Sequence, residues 1–260
     1  RGKGARLDPG GGRIGWGWKR KGRRKVRGRK AASEVDGERK VRAGPGVCVC
    51  SAKTYTGRIV AGILLVLRLA LSHEEMDESE VARRYKDLCA LPDLIREVLK
   101  RRWQDKQASR VFRKAHSALF LGRGVNSTTA YEGALKLKEI SYLHAEAYPA
   151  GEMKHGPISL LEPGFPVVAI VPADHVHDKT VSNIQEVIAR GATCIAVATD
   201  GDEDVASMCE DMLWIPPVPE EELVPIVAIV HLQMLARYVA LDRGCDVDKP
   251  RNLAKSVTVE

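Results

Sequence analysis

The last ten residues of the chain contain a lysine, a residue type whose amine condenses with ketones. Residues 251–260 are a polar segment with one lysine, Lys255, and they follow a long apolar stretch. A lysine amine that is partly desolvated and reachable by substrate forms a Schiff base with a sugar ketone. The alternative is a solvated lysine on a loose chain terminus. The choice depends on what other chemistry the chain carries.

A second group of reactive side chains lies within residues 131–140. Glu132, Lys136 and Glu139 are spaced by four and three residues, which places them within about 60° on one stripe of a helix. Two carboxylates around an ammonium supply a general base and its electrostatic partner. The alternative is a salt-bridged helix face exposed to solvent.

A histidine follows further along the chain. His155 lies in residues 151–157, where the Gly-Pro after it prevents a helix from continuing. We predict a loop imidazole, a group that can pass a proton to or from a sugar ring oxygen. The alternative is a loop histidine without a chemical role. With Lys255 and Glu139, ring opening, amine capture and proton transfer each have a candidate residue.

An anion site is also predicted. The loop 122–124, which contains Arg123, ends an apolar strand and precedes three hydroxyl residues, 127–129. We predict that Asn126 or Ser127 caps a helix there, whose first N–H groups attract a phosphorylated or polyhydroxy ligand. The alternative is a capped helix after a tight turn.

Strands and helices alternate from residue 117 onward. Apolar strands separated by helices predict an α/β fold, a doubly wound parallel sheet in three flavodoxin-like layers, with ligands at the carboxyl ends of the strands. The predicted strands are residues 117–121, 166–171, 193–198 and 212–215, and the predicted helices are 126–143, 179–190 (ended by Gly191) and 220–243.

Helices are predicted before the sheet. Residues 55–71, 80–88 and 92–100 have helical patterns, and we expect Pro92 to open the third because proline is tolerated in a first turn. The longest apolar run, 59–71, is interrupted by Arg68 and is shorter than the roughly 20 residues that span a bilayer. We therefore predict a buried core helix and no membrane association.

The net charge of +7 comes from one end of the chain. Residues 1–43 carry 16 Lys/Arg and 4 Asp/Glu, whereas the remainder carries 25 and 30. Residues 1–46 hold 12 of the 23 glycines, so we expect a disordered basic tail. Because no methionine precedes Met76, we expect a non-native leader on a truncated gene product. The alternative is a nucleic-acid-binding arm; for the folded part we expect no nucleic acid partner.

The six cysteines form no CxxC pair, and none lies near a histidine at metal-ligand spacing. The charged N-terminus is not followed by the apolar core of a signal peptide. We therefore expect reduced thiols in a cytoplasmic protein, with no metal and no cofactor.

Four segments carry a family resemblance. They are EGALKLKEISY (132–142), GEMKHGP (151–157), DVDKPRNLAKSVTVE (246–260) and VCSAKTYT (49–56), the last similar to a family loop VASTKAFT. Together they resemble the isomerase half of the glutamine:fructose-6-phosphate aminotransferases, the isomerising enzymes also called glucosamine-6-phosphate synthases. That half consists of two sugar isomerase (SIS) subdomains. By resemblance, 47–105 are the last helices of the first, 106–250 are the second, and 251–260 are the catalytic tail.

The resemblance implies the roles of the candidate residues. Lys255 captures the ketone of fructose 6-phosphate, Glu139 moves a proton between C1 and C2, and Lys136 assists. His155 opens the sugar ring from a neighbouring subunit, which implies a homo-oligomer, expected to be a dimer, and the product is glucosamine 6-phosphate for UDP-N-acetylglucosamine synthesis. The residues expected to bind substrate are Val49, Ser51, Arg123, Glu132 and Ala254.

Two family features are missing. The sequence contains no glutaminase domain with its terminal cysteine, so we expect this chain to hydrolyse no glutamine; by resemblance, that missing domain supplies the ammonia from glutamine. The phosphate loop of the first subdomain, of the type SQSGET, does not occur in the chain. The alternatives to the catalytic interpretation are therefore a non-catalytic SIS module that binds sugar phosphate and an inactive fragment.

Overall fold

A computed structural model of the protein describes Val41 and residues 50–253. The chain divides into two compact units, Arg1–Arg42 and Ala43–Glu260, and apart from Val41 the described residues belong to the second. The predicted basic tail otherwise lies outside the described residues. So do three positions of the predicted site, Val49, Ala254 and Lys255.

Five parallel strands form one sheet in the described part of the chain. They are β1 (Ser117–Gly122), β2 (His144–Pro149), β3 (Pro166–Val171), β4 (Thr193–Thr199) and β5 (Asp211–Ile215). Their order is β2-β1-β3-β4-β5, with every neighbouring pair parallel. This is the flavodoxin-like order of a doubly wound sheet. The predicted fold class is confirmed.

The edge strand β2 was not predicted from the sequence. Its buried side chains are Ala145 and Ala147, whereas His144 at its start is exposed. Alanine favours strands poorly, and β2 contains no β-branched residue, so the alternating pattern gives a weak signal. Pairing with β1 along its whole length, from Ser117–His144 to Gly122–Pro149, defines the strand instead.

Different helices cover the two faces of the sheet. These helices are α4 (Asn126–Ser141), α5 (His177–Ile188), α6 (Glu203–Met208) and α7 (Val224–Asp242). Phe120 and Val168 belong to the core on the side of α4 and α7, whereas Leu119 and Val167 belong to the core beside α5 and α6. Short 3-10 segments lie at Ser109–Arg113, Ala150–His155, Pro157–Leu160 and Glu221–Leu223.

Three helices precede the sheet, α1 (Ala52–Ser72), α2 (Glu78–Lys100) and α3 (Trp103–Ala108). The prediction of separate helices at 80–88 and 92–100 was wrong, because α2 continues through Pro92. Proline removes one helical hydrogen bond. The buried residues Leu91 and Val98 share the α4/α7 core with Leu88, so packing on both sides of the proline stabilises the continuous helix.

The prediction that the apolar run 59–71 is a buried core helix was also wrong. Within α1 only Leu67 is buried, and Val66 is 59% exposed. Two described helices, α1 and Glu221–Asp242, are long and apolar enough to cross a bilayer by length and composition alone. Of their most apolar stretches, 6% is buried in α1 and 78% in Glu221–Asp242. The second is thus a core helix of the described fold.

The two ends of α4 differ from ordinary capped ends. Its N-cap residue is Val125, which has no capping side chain, so the prediction that Asn126 or Ser127 caps the helix was wrong. Ser127 Oγ instead donates a hydrogen bond to the Gly122 carbonyl. At the other end, Tyr142 adopts a left-handed conformation with φ 58°, which a bulky residue rarely does.

Candidate functional site

The stripe of charged residues on α4 forms a compact cluster. Lys136 Nζ lies 2.6 Å from Glu139 Oε2 and 3.5 Å from Glu132 Oε1. The exposed fractions of the three side chains are 5% for Lys136, 16% for Glu132 and 22% for Glu139. This is therefore not a solvent-exposed salt-bridged face.

The close approach of α4 to α7 holds this stripe in place. A Cβ atom added to Gly133 would lie 2.5 Å from Leu232 Cδ1 and 3.2 Å from Phe120 Cδ1. A side chain at this position would have to displace the Leu232 side chain, so glycine favours the close packing of the two helices here. Because α4 is fixed against α7 and the sheet on this side, its charged stripe faces the start of α1, where Cys50 contacts Glu139.

Burial and charge act in opposite directions within the cluster. Burial alone would lower the pKa of Lys136, but its hydrogen bond to Glu139 and the surrounding negative charges outweigh burial and raise it. Burial raises the pKa of Glu132, although Lys136 opposes that shift. At neutral pH Lys136 is thus an ammonium that neutralises the carboxylates around it.

Cys50 is the fourth residue of the cluster, and it was not predicted from the sequence as a site residue. Its Sγ donates to Glu139 Oε2 at 2.8 Å and accepts from Lys136 Nζ at 3.4 Å. Burial and the hydrogen bond to Glu139 raise the pKa of the Cys50 thiol to about 12, so it stays protonated. The available signal was its position between Val49 and Ser51, in a loop whose family counterpart has alanine.

The start of α1 is held against α4 by a second contact. Tyr55 Oη lies 3.1 Å from Thr129 Oγ1. Ser51, a predicted substrate-binding residue, is the N-cap position of α1 and its hydroxyl contacts Thr54. Since Cys50 contacts Glu139, the structure places Ser51 next to the charged cluster. Val49 precedes Cys50 and is outside the described residues.

The C-terminal segment, residues 243–253, returns to the end of α4. Arg243 Nε donates to the Ser141 carbonyl at 3.2 Å, and Pro250 is buried. The backbone N–H of Arg251 donates to Tyr142 Oη at 2.6 Å, and its guanidinium carbon lies 4.1 Å from the centre of the Tyr142 ring. Tyr142 follows Glu139 by three residues, so this segment contacts the C-terminal end of the helix that carries the charged cluster.

Arg123 and His155 lie on the other side of the sheet. Arg123 Nη1 is 3.3 Å from Asn183 Oδ1 on α5. A Cβ added to Gly151 would lie 3.3 Å from the same nitrogen, so the guanidinium packs on the 3-10 segment that ends at His155. His155 is exposed, and the buried residues of its segment belong to the α5 core. Within one chain the structure brings neither residue to the cluster.

The hydroxyls of the predicted anion site bond within the protein. Ser127 donates to the Gly122 carbonyl, Thr128 donates to the Val125 carbonyl, and Thr129 pairs with Tyr55. The first backbone N–H groups of α4 are also engaged, since Asn126 N donates to Arg123 O and Ser127 N to Gly124 O. This geometry is that of a tight turn followed by a helix.

The family of the chain follows from comparison with known proteins. The profile of the SIS domain matches residues 111–243, which span the sheet and α4 to α7. The chain belongs to the SIS domain family. The match begins just before β1 and ends just after α7, so it covers the helix that carries Lys136 and Glu139.

Individual relatives of this SIS protein share one name. A glutamine–fructose-6-phosphate aminotransferase (isomerizing) of Thermus thermophilus is 46% identical over 247 residues, covering 93% of this chain and 41% of the relative. The corresponding enzyme of Chlorobaculum tepidum is 44% identical over 219 residues, covering 84% and 35%. This chain therefore spans about two fifths of the curated relatives it matches.

A solved structure agrees with these relatives. The C-terminal domain of glucosamine-fructose-6-phosphate aminotransferase from Francisella tularensis is 37% identical, with a TM-score of 0.76. The similarity covers 80% of this chain and 58% of that chain. The arrangement of sheet and helices described above is thus shared with that domain.

Proposed function

We propose that this SIS protein is the sugar-phosphate isomerase half of a glucosamine-6-phosphate synthase. Its substrate is fructose 6-phosphate, and with ammonia its product is glucosamine 6-phosphate. The observation that carries the proposal is the return of the C-terminal segment to the end of α4. Arg251 contacts Tyr142, three residues after Glu139, so the segment that leads to Lys255 is held at the end of the helix that carries Lys136 and Glu139.

The reach of the chain supports a role for Lys255. Lys255 is two residues beyond Leu253, which adds at most about 7 Å of extended backbone. Its amine attacks C2 of the open-chain ketone, and loss of water leaves a Schiff base. Ammonia then displaces the lysine, and Lys255 is regenerated as a free amine.

Glu139 is the proposed proton carrier between C1 and C2. Its Oε2 accepts hydrogen bonds from both Lys136 and Cys50. Among the described residues, no group hydrogen-bonds Oε1, which is therefore the oxygen available to take the C1 proton and return it to C2. Lys136, held as an ammonium, stabilises the negative charge of the carboxylate and of the enolic intermediate.

His155 and Arg123 are proposed to act on the site of a neighbouring subunit. Both lie on the α5 side of the sheet, whereas Lys136 and Glu139 lie on α4. The sheet separates the two groups within one chain, so a homodimer is the arrangement that supplies His155 for ring opening. Arg123, whose guanidinium packs on the His155 segment, would reach the sugar phosphate from the same side.

The remaining predicted substrate contacts surround the cluster. Ser51 lies next to Cys50, and Glu132 pairs with Lys136; we propose that Val49 and Ala254, which flank the described residues, also lie against the sugar. We propose a cytoplasmic protein without cofactor, since the chemistry needs only these side chains.

Conversion of fructose 6-phosphate to glucose 6-phosphate tests the proposal. The purified chain is incubated in D₂O without ammonia, and the formation of glucose 6-phosphate and the hydrogen isotope at its C2 are followed by NMR. We expect slow conversion in the wild type and none in Glu139→Gln, because the amide keeps the shape and removes the base. Saturable binding of fructose 6-phosphate without conversion would support the non-catalytic SIS module instead.

A further inference from the structure

Tyr142 has a backbone conformation that its side chain does not favour. Its φ of 58° lies in the left-handed region, where glycine or asparagine is usual at a helix end. A bulky residue kept in such a conformation marks a position where the side chain has a specific role. At Tyr142 both the hydroxyl and the ring contact Arg251.

We propose that Tyr142 is a positioning residue that holds Arg251, and so the start of the C-terminal tail that leads to Lys255, at the end of α4. The inference rests on the proposed function, because it assigns Lys255 the Schiff base. Two contacts from one side chain fix one residue of the tail: the hydroxyl accepts the backbone N–H of Arg251, and the ring faces its guanidinium. We call this pair the Tyr142–Arg251 contact.

The position of the contact sets the direction of the tail. Tyr142 is three residues after Glu139, about 4.5 Å along the helix axis. Asn252, the residue after Arg251, has φ 61°, so the chain changes direction immediately beyond the contact. Lys255 follows Arg251 by four residues. Without the Tyr142–Arg251 contact, the C-terminal segment would be held only at Arg243 and Pro250. The chain between Pro250 and Lys255 would then lack a fixed point.

The contact lies outside the two hydrophobic cores. Tyr142 is half-buried and Arg251 is exposed, and neither belongs to the cluster of residues that packs α4 on α7. Loss of the contact should therefore affect the tail more than the stability of the fold. This difference separates a positioning role from a structural one.

The test uses variants that suit the backbone at each position. Tyr142→Asn removes the ring and hydroxyl but tolerates the left-handed conformation, and Tyr142→Phe removes the hydroxyl alone. Arg251→Gln removes the guanidinium. The matched controls are Tyr238→Phe and Arg237→Gln, because these residues form a similar ring–guanidinium pair on α7, 5.6 Å from carbon to ring centre.

The first measurement is hydrogen exchange of the Arg251 amide, which does not depend on catalysis. We expect exchange at least tenfold faster in Tyr142→Asn and in Tyr142→Phe, because both lack the oxygen that accepts this N–H. The Tyr238→Phe control should match the wild type. Equal exchange rates in the wild type and in Tyr142→Asn would overturn the inference, whether or not the protein is an enzyme.

The second measurement is borohydride trapping of fructose 6-phosphate on Lys255 at saturating substrate. We expect the trapping rate to fall at least tenfold in Tyr142→Asn and less in Tyr142→Phe, with the thermal midpoint and the half-saturating substrate concentration nearly unchanged. The Arg237→Gln control should trap as the wild type does. Undiminished trapping in Tyr142→Asn would overturn the inference. A wild type that forms no adduct contradicts the proposed function, and amide exchange alone then decides whether the contact holds the tail.

Discussion

Replacement of Lys136 by methionine should show how strongly the charged cluster depends on its ammonium. Methionine keeps most of the apolar stem of the side chain and removes the charge together with its N–H donors, which include the hydrogen bond to Glu139. Glu139 and Glu132 then face each other without the cation that lies 2.6 Å and 3.5 Å from their oxygens. We expect Lys136→Met to be strongly destabilised at neutral pH.

The size of the loss in free energy of unfolding follows from the burial of the charged cluster. Removing one partner of a buried ion pair costs about 3–5 kcal/mol. The two carboxylates here keep 16% and 22% of their exposure, so water screens part of the repulsion, and we expect about 2–4 kcal/mol. In a folded unit of this size, that lowers the thermal midpoint by roughly 5–15 °C.

The loss of stability in Lys136→Met should also decrease as the pH is lowered. Burial raises the pKa of Glu132, and Lys136 opposes this, so removing Lys136 raises the pKa further in the folded state. Unfolded glutamate titrates near 4.3. The destabilisation of Lys136→Met is therefore complete above the pKa that Glu132 has in the folded variant. It disappears as the pH falls toward about 4, where the Glu132 carboxylate becomes protonated in both the folded and the unfolded chain.

The assay is urea unfolding at pH 7.5, 6.0 and 4.5. Lys138→Met is the control, because Lys138 is an exposed lysine on the same helix. Equal losses of stability in Lys136→Met and Lys138→Met would show that the buried ammonium of Lys136 does not stabilise the cluster. So would a loss in Lys136→Met that stays constant across the three pH values, because it would show that packing and not charge is responsible.

Three further predictions concern reactivity, packing and assembly. Cys50 has a pKa of about 12 against an ordinary 9.0, so it should react with iodoacetamide at pH 8 about 1000-fold more slowly than a small thiol, because only the thiolate reacts. Mass spectrometry of the labelled peptide measures the rate. A rate close to that of a small thiol would contradict the burial of Cys50 and its hydrogen bond to Glu139. Gly133→Ala should lower the free energy of unfolding by about 1–3 kcal/mol, whereas Gly62→Ala, with no atom within 4 Å of the new Cβ, should raise it by about 0.5–1 kcal/mol. Equal effects in urea unfolding would disprove the tight approach of α4 to α7. Mixed Glu139→Gln and His155→Ala chains should regain isomerase activity that neither has alone, and mixtures that stay inactive although hybrid dimers form would contradict the shared site.

The sequence predicted those features that depend on local pattern. Strands buried on both faces, such as β3, read as continuous apolar runs, and the spacing of Glu132, Lys136 and Glu139 places them together on any regular helix. The sequence did not predict β2, since its alanines carry little strand preference. Nor did it predict the uninterrupted α2, because packing around Pro92 outweighs the local cost of a proline.

The rest of the site depends on contacts between distant parts of the chain. Cys50 contacts Glu139, which is 89 residues away in the sequence, and Arg251 contacts Tyr142, which is 109 residues away. No local sequence pattern predicts contacts between residues so far apart in the chain. The separation of His155 from the cluster by the sheet is likewise a property of the topology, which the spacing of motifs does not encode.

Peptide mapping after borohydride reduction shows whether Lys255 forms the Schiff base. The protein is incubated with fructose 6-phosphate, reduced and digested with trypsin, which cleaves after Arg251 and, when Lys255 is unmodified, after Lys255. We expect a sugar-phosphate adduct on Lys255, seen as a peptide 252–260 with no internal cleavage, in both the wild type and Glu139→Gln. An adduct confined to other lysines, or formed equally when Lys255 is replaced by arginine, would contradict it.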